Sequence, residues 1–448
     1  MGCRMKNLLI LHLESITRER LAAFASSFPH TLRLTREARV FDRFFSSATS
    51  TLMVVTYLFH GNDFEFDRAT RFEGMRPAAN NRHLFSILRD RGYAANLLCL
   101  NAFETHRATR LASWPDDLPP AFGTHDFPAL QARFDAITDA EPFAIYVWDL
   151  ITHIEHALAL APFASGLTDQ VARACAVADD AIGTMLATLE RKGKLANTVI
   201  VLYGDHGDDY WTHGFKAGMV HGTEPYTNVT WTPLAIAGAG TAPGICDGIA
   251  STIDIAPTCL SALGIDERLP FAHSGLDLLG ATHEVAFSQN FTANQPDDRA
   301  LGIAKAFAVA DDTYNLVASS RGIELYAYRL DPGNHCNLLD FFDTAPDGRL
   351  VLRNGLSKVN HFRAALPDNP RAVAHIDERF RALREALSVR VAAKRAYIES
   401  SGVEPSHALD PRAFGVFARV QPQGGPEPSR PAPPAAIAPF EFSFKLSP

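Results

Sequence analysis

Three short apolar runs constrain this chain more than any other feature, because each ends on groups able to bind a metal or move a proton. NLLILHL (residues 7–13) runs into Glu14, FAIYVW (143–148) into Asp149 and, four residues on, His153, and NTVIVLY (197–203) into Gly204-Asp205-His206-Gly207. Apolar runs of this length, lacking polar alternation and bounded by turn residues, read as buried strands. Helical patterns lie around them, over residues 15–25, 31–38, 83–91 and 168–192. In the last of these Val171, Cys175, Ala178, Ile182, Met185 and Leu189 recur at spacings of three and four. Further strands are predicted at 94–99 and 232–237, and a further helix at 251–263. Strands alternating with helices predict a parallel sheet. In such a sheet the ligand crevice lies at the carboxyl ends of the strands, where Glu14, His153, Asp205 and His206 can converge.

The predicted fold class is therefore α/β: a mainly parallel central sheet flanked by helices, followed by a smaller C-terminal antiparallel sheet plus helix. The change of texture comes near residue 284. Beyond it Leu301–Val309, Tyr314–Ala318 and Ile323–Tyr328 read as successive short strands, and Arg371–Glu399 as a charged amphipathic helix. The expected division is a catalytic domain over 1–283, a small sheet subdomain over 284–345, a helical extension over 346–419 and a Pro-rich, disordered tail over 420–448. A net charge of −8 excludes the basic footprint of a general nucleic-acid binder. The six cysteines are scattered without a CxxC pair, which predicts reduced thiols rather than a disulfide framework. No stretch approaches the ~18–20 apolar residues of a membrane span, and the run at 8–11 is too short for a signal peptide. The expected location is cytoplasmic, with peripheral contact at a membrane surface left open.

The chemistry concentrates in GDHGDDYWTHGFKAGMVHG (204–222) and SSATSTLMVVTYLFHG (46–61). Carboxylate and imidazole at Asp205-His206 suit a divalent ion of the zinc, manganese or magnesium kind. Taken alone, the pair also reads as a turn, and Glu14 as a helix cap or a solvated charge. Glycines here are expected to let the backbone approach a tetrahedral anion. A Thr hydroxyl attacks poorly at neutral pH unless a metal activates it. Thr51 fits that role, or else belongs to a β-branched strand or caps a helix. If it opens a helix, the helix terminus favours an oxyanion at the same point. His221, His153 and His213 are candidates for proton transfer near neutral pH or for structural bonds. Lys216 reads as a phosphate contact or an exposed lysine. Tyr210 and Trp211 read as pocket lining or packing, and Asp208 and Asp209 as solvated loop charges.

Five segments in order resemble the alkaline phosphatase superfamily, in its sulfatase-like branch. They are Leu13-Glu14-Ser15; Phe44 through Thr51 to Gly61; PFAIYVWDLITH (142–153); the block from NTVIVLYGDHGD through HGTEPY to TPL (197–234); and STIDIAPTCLSALGI (251–265) with IELYAYRLDPGNHCNLL (323–339). The resemblance covers roughly residues 7–342. The family's nucleophile stands ten residues before such a Gly, which selects Thr51 over Thr49 or Ser50. Formylglycine sulfatases need Cys or Ser there, with Pro and Arg two and four residues on; this chain has Thr51, Met53 and Val55. Those enzymes also tend to open with paired aspartates, where this chain has Glu14 alone.

A Glu, a Thr and an Asp-His pair is similar to phosphoethanolamine transferases and lipoteichoic-acid-synthase-like phosphoglycerol transferases. Those carry N-terminal membrane helices, which this sequence does not show. The resemblance implies Glu14, Thr51, Asp205 and His206 around one divalent ion, zinc or manganese first, with magnesium or calcium as alternatives. It implies His221 as the proton-transfer residue, with His153 and His213 next. The implied activity is attack of Thr51 on a phosphodiester, through a phosphothreonine intermediate, with a small-molecule or glycan phosphoester as substrate. The alternatives are a sulfate-ester hydrolase working without formylglycine and a non-catalytic binding module of the same fold.

Overall fold

The computed structural model describes residues 5–63, 66–70, 74–77, 80–100, 114–153, 166–209, 213, 221–238, 240, 242–267, 274–290, 306–319, 322–353 and 369–400. In chain order the first strands are β1 (Asn7–Leu13), β2 (Arg39–Phe45), the hairpin β3 (Phe66–Thr70) and β4 (Gly74–Pro77), β5 (Ala94–Cys99), β6 (Phe122–Gly123), β7 (Phe143–Asp149), β8 (Thr198–Gly204), β9 (Leu234–Ala237) and β10 (Gly244–Ser251). Eight of them form one sheet in the order β10-β2-β9-β8-β1-β7-β5-β6. Its pairs are parallel except that β9 runs antiparallel to both β2 and β8. The fold is thus mixed α/β with a large, mainly parallel central sheet.

The three apolar runs are the middle of that sheet: β1 lies between β7 and β8. They lack polar alternation because both faces are covered. Leu8 and Ile10 pack into one core and Leu9, Leu11 and Leu13 into the other. The first core includes α3 (Thr51–His60), α4 (Leu84–Asp90) and α8 (Ile255–Ala262). The second includes α1 (Arg18–Ala23), α2 (Pro29–Arg36), α5 (Phe127–Ile137) and α6 (Leu167–Arg191). Register then brings the functional ends level, since Leu13 of β1 stands opposite both Asp149 of β7 and Gly204 of β8.

A second, antiparallel sheet follows in the order β11 (Ala286–Asn290), β12 (Ala306–Ala310), β13 (Asn315–Ser319), β14 (Gly322–Tyr326), and a hairpin joins β15 (Phe342–Thr344) to β16 (Leu350–Leu352). A four-residue helix, α7 (Thr227–Thr230), precedes β9, and the long helix α9 (Pro370–Ser400) buries Leu383 and Leu387 in the first core. The second sheet also braces the segment leading into α3. Ser288 Oγ donates to Ser46 O at 2.5 Å, and Gln289 N–H to Ser47 O at 3.1 Å.

Some expected elements move. The helix expected over 15–25 begins only at Arg18, because Ser15 has φ +56° and Thr17 caps the helix by accepting from Arg20 N–H at 3.2 Å. Helices α5 and α7 and strands β2, β3, β4, β6, β10, β11, β15 and β16 come in addition to the expected elements. Residues 301–305 of the expected strand 301–309, and the Pro-rich tail, lie outside the described residues. Among the described residues no helix is long and apolar enough to cross a membrane.

Candidate active site

Glu14 follows β1, Asp205 and His206 follow β8, and Thr51 is the first residue of α3. All four are buried. Thr51 Oγ1 donates to Glu14 Oε1 at 2.9 Å and lies 3.0 Å from His206 Nε2. His206 Nε2 is 3.2 Å from Asp205 Oδ2 and 3.9 Å from Glu14 Oε1. The segment 46–61 is therefore helical at Thr51, preceded by Ser50 in extended backbone and closed by Gly61 at φ +61°. The start of this ten-residue helix gives any oxyanion beside Thr51 a favourable dipole.

Two residues complete the cluster that sequence reasoning passed over. His12 lies two residues before Glu14 on the same face of β1. Its Nε2 is 3.3 Å from Asp205 Oδ2 and 3.5 Å from Glu14 Oε2. Its Nδ1 meets the Tyr146 hydroxyl at 2.6 Å, and its ring stacks on Trp148 and Tyr203. Trp148 Nε1 donates to Glu14 Oε2 at 2.7 Å. The available signal was the strand period of two counted back from Glu14, masked because a His inside an apolar run reads as core.

This donor set fits a divalent cation. Asp205 Oδ1 accepts from the backbone N–H groups of Ser15 and His206 at 2.9 and 2.8 Å, which aims Oδ2 inward. Neither Asp205 Oδ2 nor His12 Nε2 has a well-formed hydrogen bond, although both are fully buried. Buried orphaned atoms of this kind are costly unless a ligand satisfies them. Donors separated by 2.9 to 3.9 Å match those gathered by an ion with bonds of about 2.0–2.2 Å. Burial, reinforced by the Asp205 charge, raises the Glu14 carboxyl well above its usual range. Burial pushes on Asp205 too, but the His206 and His12 imidazoles and the Ser15 N–H hold it low. Burial lowers His206, favouring the neutral imidazole that a metal takes.

The three candidate proton-transfer histidines are placed differently. The His221 ring lies 4.5 Å from that of His206 and 5.2 Å from that of His153, so His153 and His221 flank the cluster. His221 Nδ1 is 2.9 Å from Asp208 Oδ1. His213 has both ring nitrogens engaged, Nδ1 with Asp209 Oδ1 and Nε2 with Asn334 O at 3.0 Å, and its ring stacks 3.8 Å from Tyr226. That arrangement braces the 205–209 segment against the turn at Asn334. Asp208 and Asp209, expected as solvated charges, are instead buried at 3% and 0% exposure, because the chain at 213, 221 and 228 supplies their partners. Two of the glycines, Gly204 and Gly207, are required by close packing of the backbone. A Cβ on Gly204 would lie 2.1 Å from Ile16 O, and one on Gly207 2.5 Å from Asn228 O. Protein backbone, rather than an anion, occupies that space. Tyr210, Trp211 and Lys216 lie outside the described residues.

Comparison with known proteins gives a family and a fold. The sulfatase family model matches residues 6–265, more than half of the 448 residues. An arylsulfatase of Volvox carteri is 27% identical in an alignment of 199 residues that covers 37% of this chain and 30% of the relative. Lipoteichoic acid synthase 2 of Bacillus subtilis (strain 168) is 28% identical over 126 residues, 27% of this chain and 19% of the relative. The matches span less than a third of the length of these curated relatives. Among solved structures, a 2-O GAG sulfatase shares the fold with a TM-score of 0.61 at 16% identity, over 92% of this chain and 96% of that one. A protein of the alkaline phosphatase superfamily is also among the structural neighbours.

Proposed function

The chain belongs to the sulfatase family, and on that premise we propose that it cleaves or transfers a phosphodiester through Thr51. The observation that carries this reading is the placement of Thr51 Oγ1, 2.9 Å from Glu14 and 3.0 Å from His206, at the start of a helix. Glu14, Asp205, His206 and Thr51 would hold a divalent cation, with His12 beside them. When bound, the cation makes the hydroxyl a better nucleophile and offsets charge developing on the phosphoryl oxygens.

The chain's own groups account for the remaining steps. Thr51 Oγ1 gives up its proton to the Glu14 carboxylate and bonds to phosphorus. The bond from phosphorus to the departing alcohol breaks, and His221 protonates that oxygen. Water or an acceptor alcohol then attacks the phosphothreonine and returns a proton to His221. The Thr51–phosphorus bond breaks and Thr51 regains its proton. The similarity to lipoteichoic acid synthase 2 and the Thr at the nucleophile position support phosphorus as the reacting centre. A glycan carrier, a choice between water and alcohol, and a cytoplasmic site of action belong to the same proposal.

A sulfate-ester hydrolase is the second reading, favoured by the arylsulfatase similarity. Zinc- or manganese-loaded protein is incubated with bis(p-nitrophenyl) phosphate and with p-nitrophenyl sulfate. The expected result is release from the phosphodiester, an intact-mass adduct on Thr51, and roughly a thousandfold or greater loss in Thr51→Ala. Full activity in that variant removes Thr51 as nucleophile, and turnover of the sulfate alone selects the second reading.

A further inference from the structure

We infer that Asp208, held by Arg20, positions His221 for proton transfer to the leaving alcohol. The inference rests on the phosphodiester reading, in which His221 handles that proton. Asp208 lies beyond the Asp205-His206 pair, and its side chain is only 1% exposed. Its Oδ1 stands 2.9 Å from His221 Nδ1. Its Oδ2 faces Arg20 Nη1 at 3.5 Å, and the same Nη1 donates to Ser15 O at 2.7 Å. Arg20 thus ties Asp208 to the turn that carries Glu14.

A carboxylate beside a guanidinium is an acceptor, so the proton in the bond to His221 belongs to Nδ1. Nε2 is then the nitrogen that exchanges a proton with substrate. An imidazole with one nitrogen bonded to a buried carboxylate has its tautomer and ring plane set by that bond, and loss of the charge leaves the wrong tautomer even when shape is kept. The His221 ring already lies 4.5 Å from that of His206, beside the group that contacts Thr51. Asp208 touches no reacting atom in this account; it acts through His221.

A purely structural tie between residues 208 and 221 makes a different prediction, and leaving-group chemistry separates the two. Nitrophenolate departs without a proton, whereas ethoxide needs one. Metal-loaded wild type and Asp208→Asn are assayed on p-nitrophenyl ethyl phosphate and on diethyl phosphate. The variant is expected to lose about 100-fold or more in kcat/KM on diethyl phosphate and less than about fivefold in kcat/KM on the nitrophenyl ester, because kcat/KM reports departure of the leaving group and not the later attack on phosphothreonine, which the two substrates share. Equal losses on the two substrates overturn the inference.

The second measurement needs only folded wild-type protein. In its ¹⁵N spectrum the His221 ring is expected to carry its proton on Nδ1, and an unprotonated Nδ1 overturns the inference even if Asp208→Asn fails to fold. If wild type turns over neither diester, the phosphodiester reading fails, while the Nδ1 resonance still decides whether Asp208 sets the imidazole.

Discussion

Asp149 shows how a single side chain at a strand end ties site geometry to pH. It closes β7 opposite Leu13, buried, with Oδ1 accepting from Ile151 N–H at 2.9 Å and Oδ2 from the Thr152 hydroxyl at 3.3 Å. The Thr152 hydroxyl also donates to Glu14 O at 2.6 Å. Burial pushes the Asp149 carboxyl from 3.8 up to about 7. An acid raised in this way binds its proton more tightly when folded. The stability it contributes is complete below about pH 4 and is lost as pH rises through about 7. Asp149→Asn keeps the shape without titrating. Its unfolding free energy from urea titration is therefore expected to gain on wild type between pH 4 and 8, by up to about 4 kcal/mol at ~1.4 kcal/mol per pKa unit. Parallel pH profiles for the two proteins contradict the assignment. Glu14, Asp205 and His206 were legible in the sequence because they follow apolar runs, and Thr51 through its ten-residue spacing to Gly61 in the family resemblance. Asp208 and Asp209 were not, because polar residues among glycines look solvated until partners distant in the chain are placed over them.

At the scale of elements, spacing carried more information than composition. The step of ten from Thr51 to Gly61 is the length of α3, which Gly61 closes in the left-handed region, so a motif distance turns out to be a helix length. Strand β10, with the sequence GICDGIAS, was illegible for the opposite reason. Two glycines and an Asp break its pattern, and only pairing with β2, across an irregular register between Cys246 and Ile249, makes it a strand. The end of β8 is set by close approach. A methyl on Gly204 would meet Ile16 O at 2.1 Å and Pro233 Cδ at 2.9 Å, and neither belongs to a flexible side-chain end. Gly204→Ala is expected to cost about 1–3 kcal/mol in a thermal or urea melt. It is also expected to lower kcat by roughly 100-fold, since misplacing catalytic groups by about 1 Å has that effect, although no catalytic atom is removed. A variant with wild-type stability and turnover would show that β8 and the turn at Ile16 have room to part.

For the whole molecule, two sheets and the helices between them enclose two carboxylates where water cannot screen them. The first core spans the central sheet, α3, the second sheet and α9, so forces on the Glu14 cluster are borne by the entire fold. That integration was only half legible: the two sheets could be anticipated, but not the joining of β11 to the segment before Thr51 through Ser46 and Ser47. The consequence is a link between metal, pH and global stability. Glu14 is raised by burial and by Asp205, so in the metal-free protein the stability it contributes is lost as pH rises and its proton leaves. A divalent cation replaces that proton and binds better as Glu14 ionises. The melting temperature in zinc or manganese, minus that in a chelator, is therefore expected to widen as pH rises and Glu14 ionises. At about 100 times its dissociation constant a ligand adds ~2.7 kcal/mol of stability, a shift of a few degrees at most for a chain of this length. A pH-independent difference, or none at all, would mean that the buried carboxylates answer to something other than a cation, and the proposed activation of Thr51 would lose its physical basis.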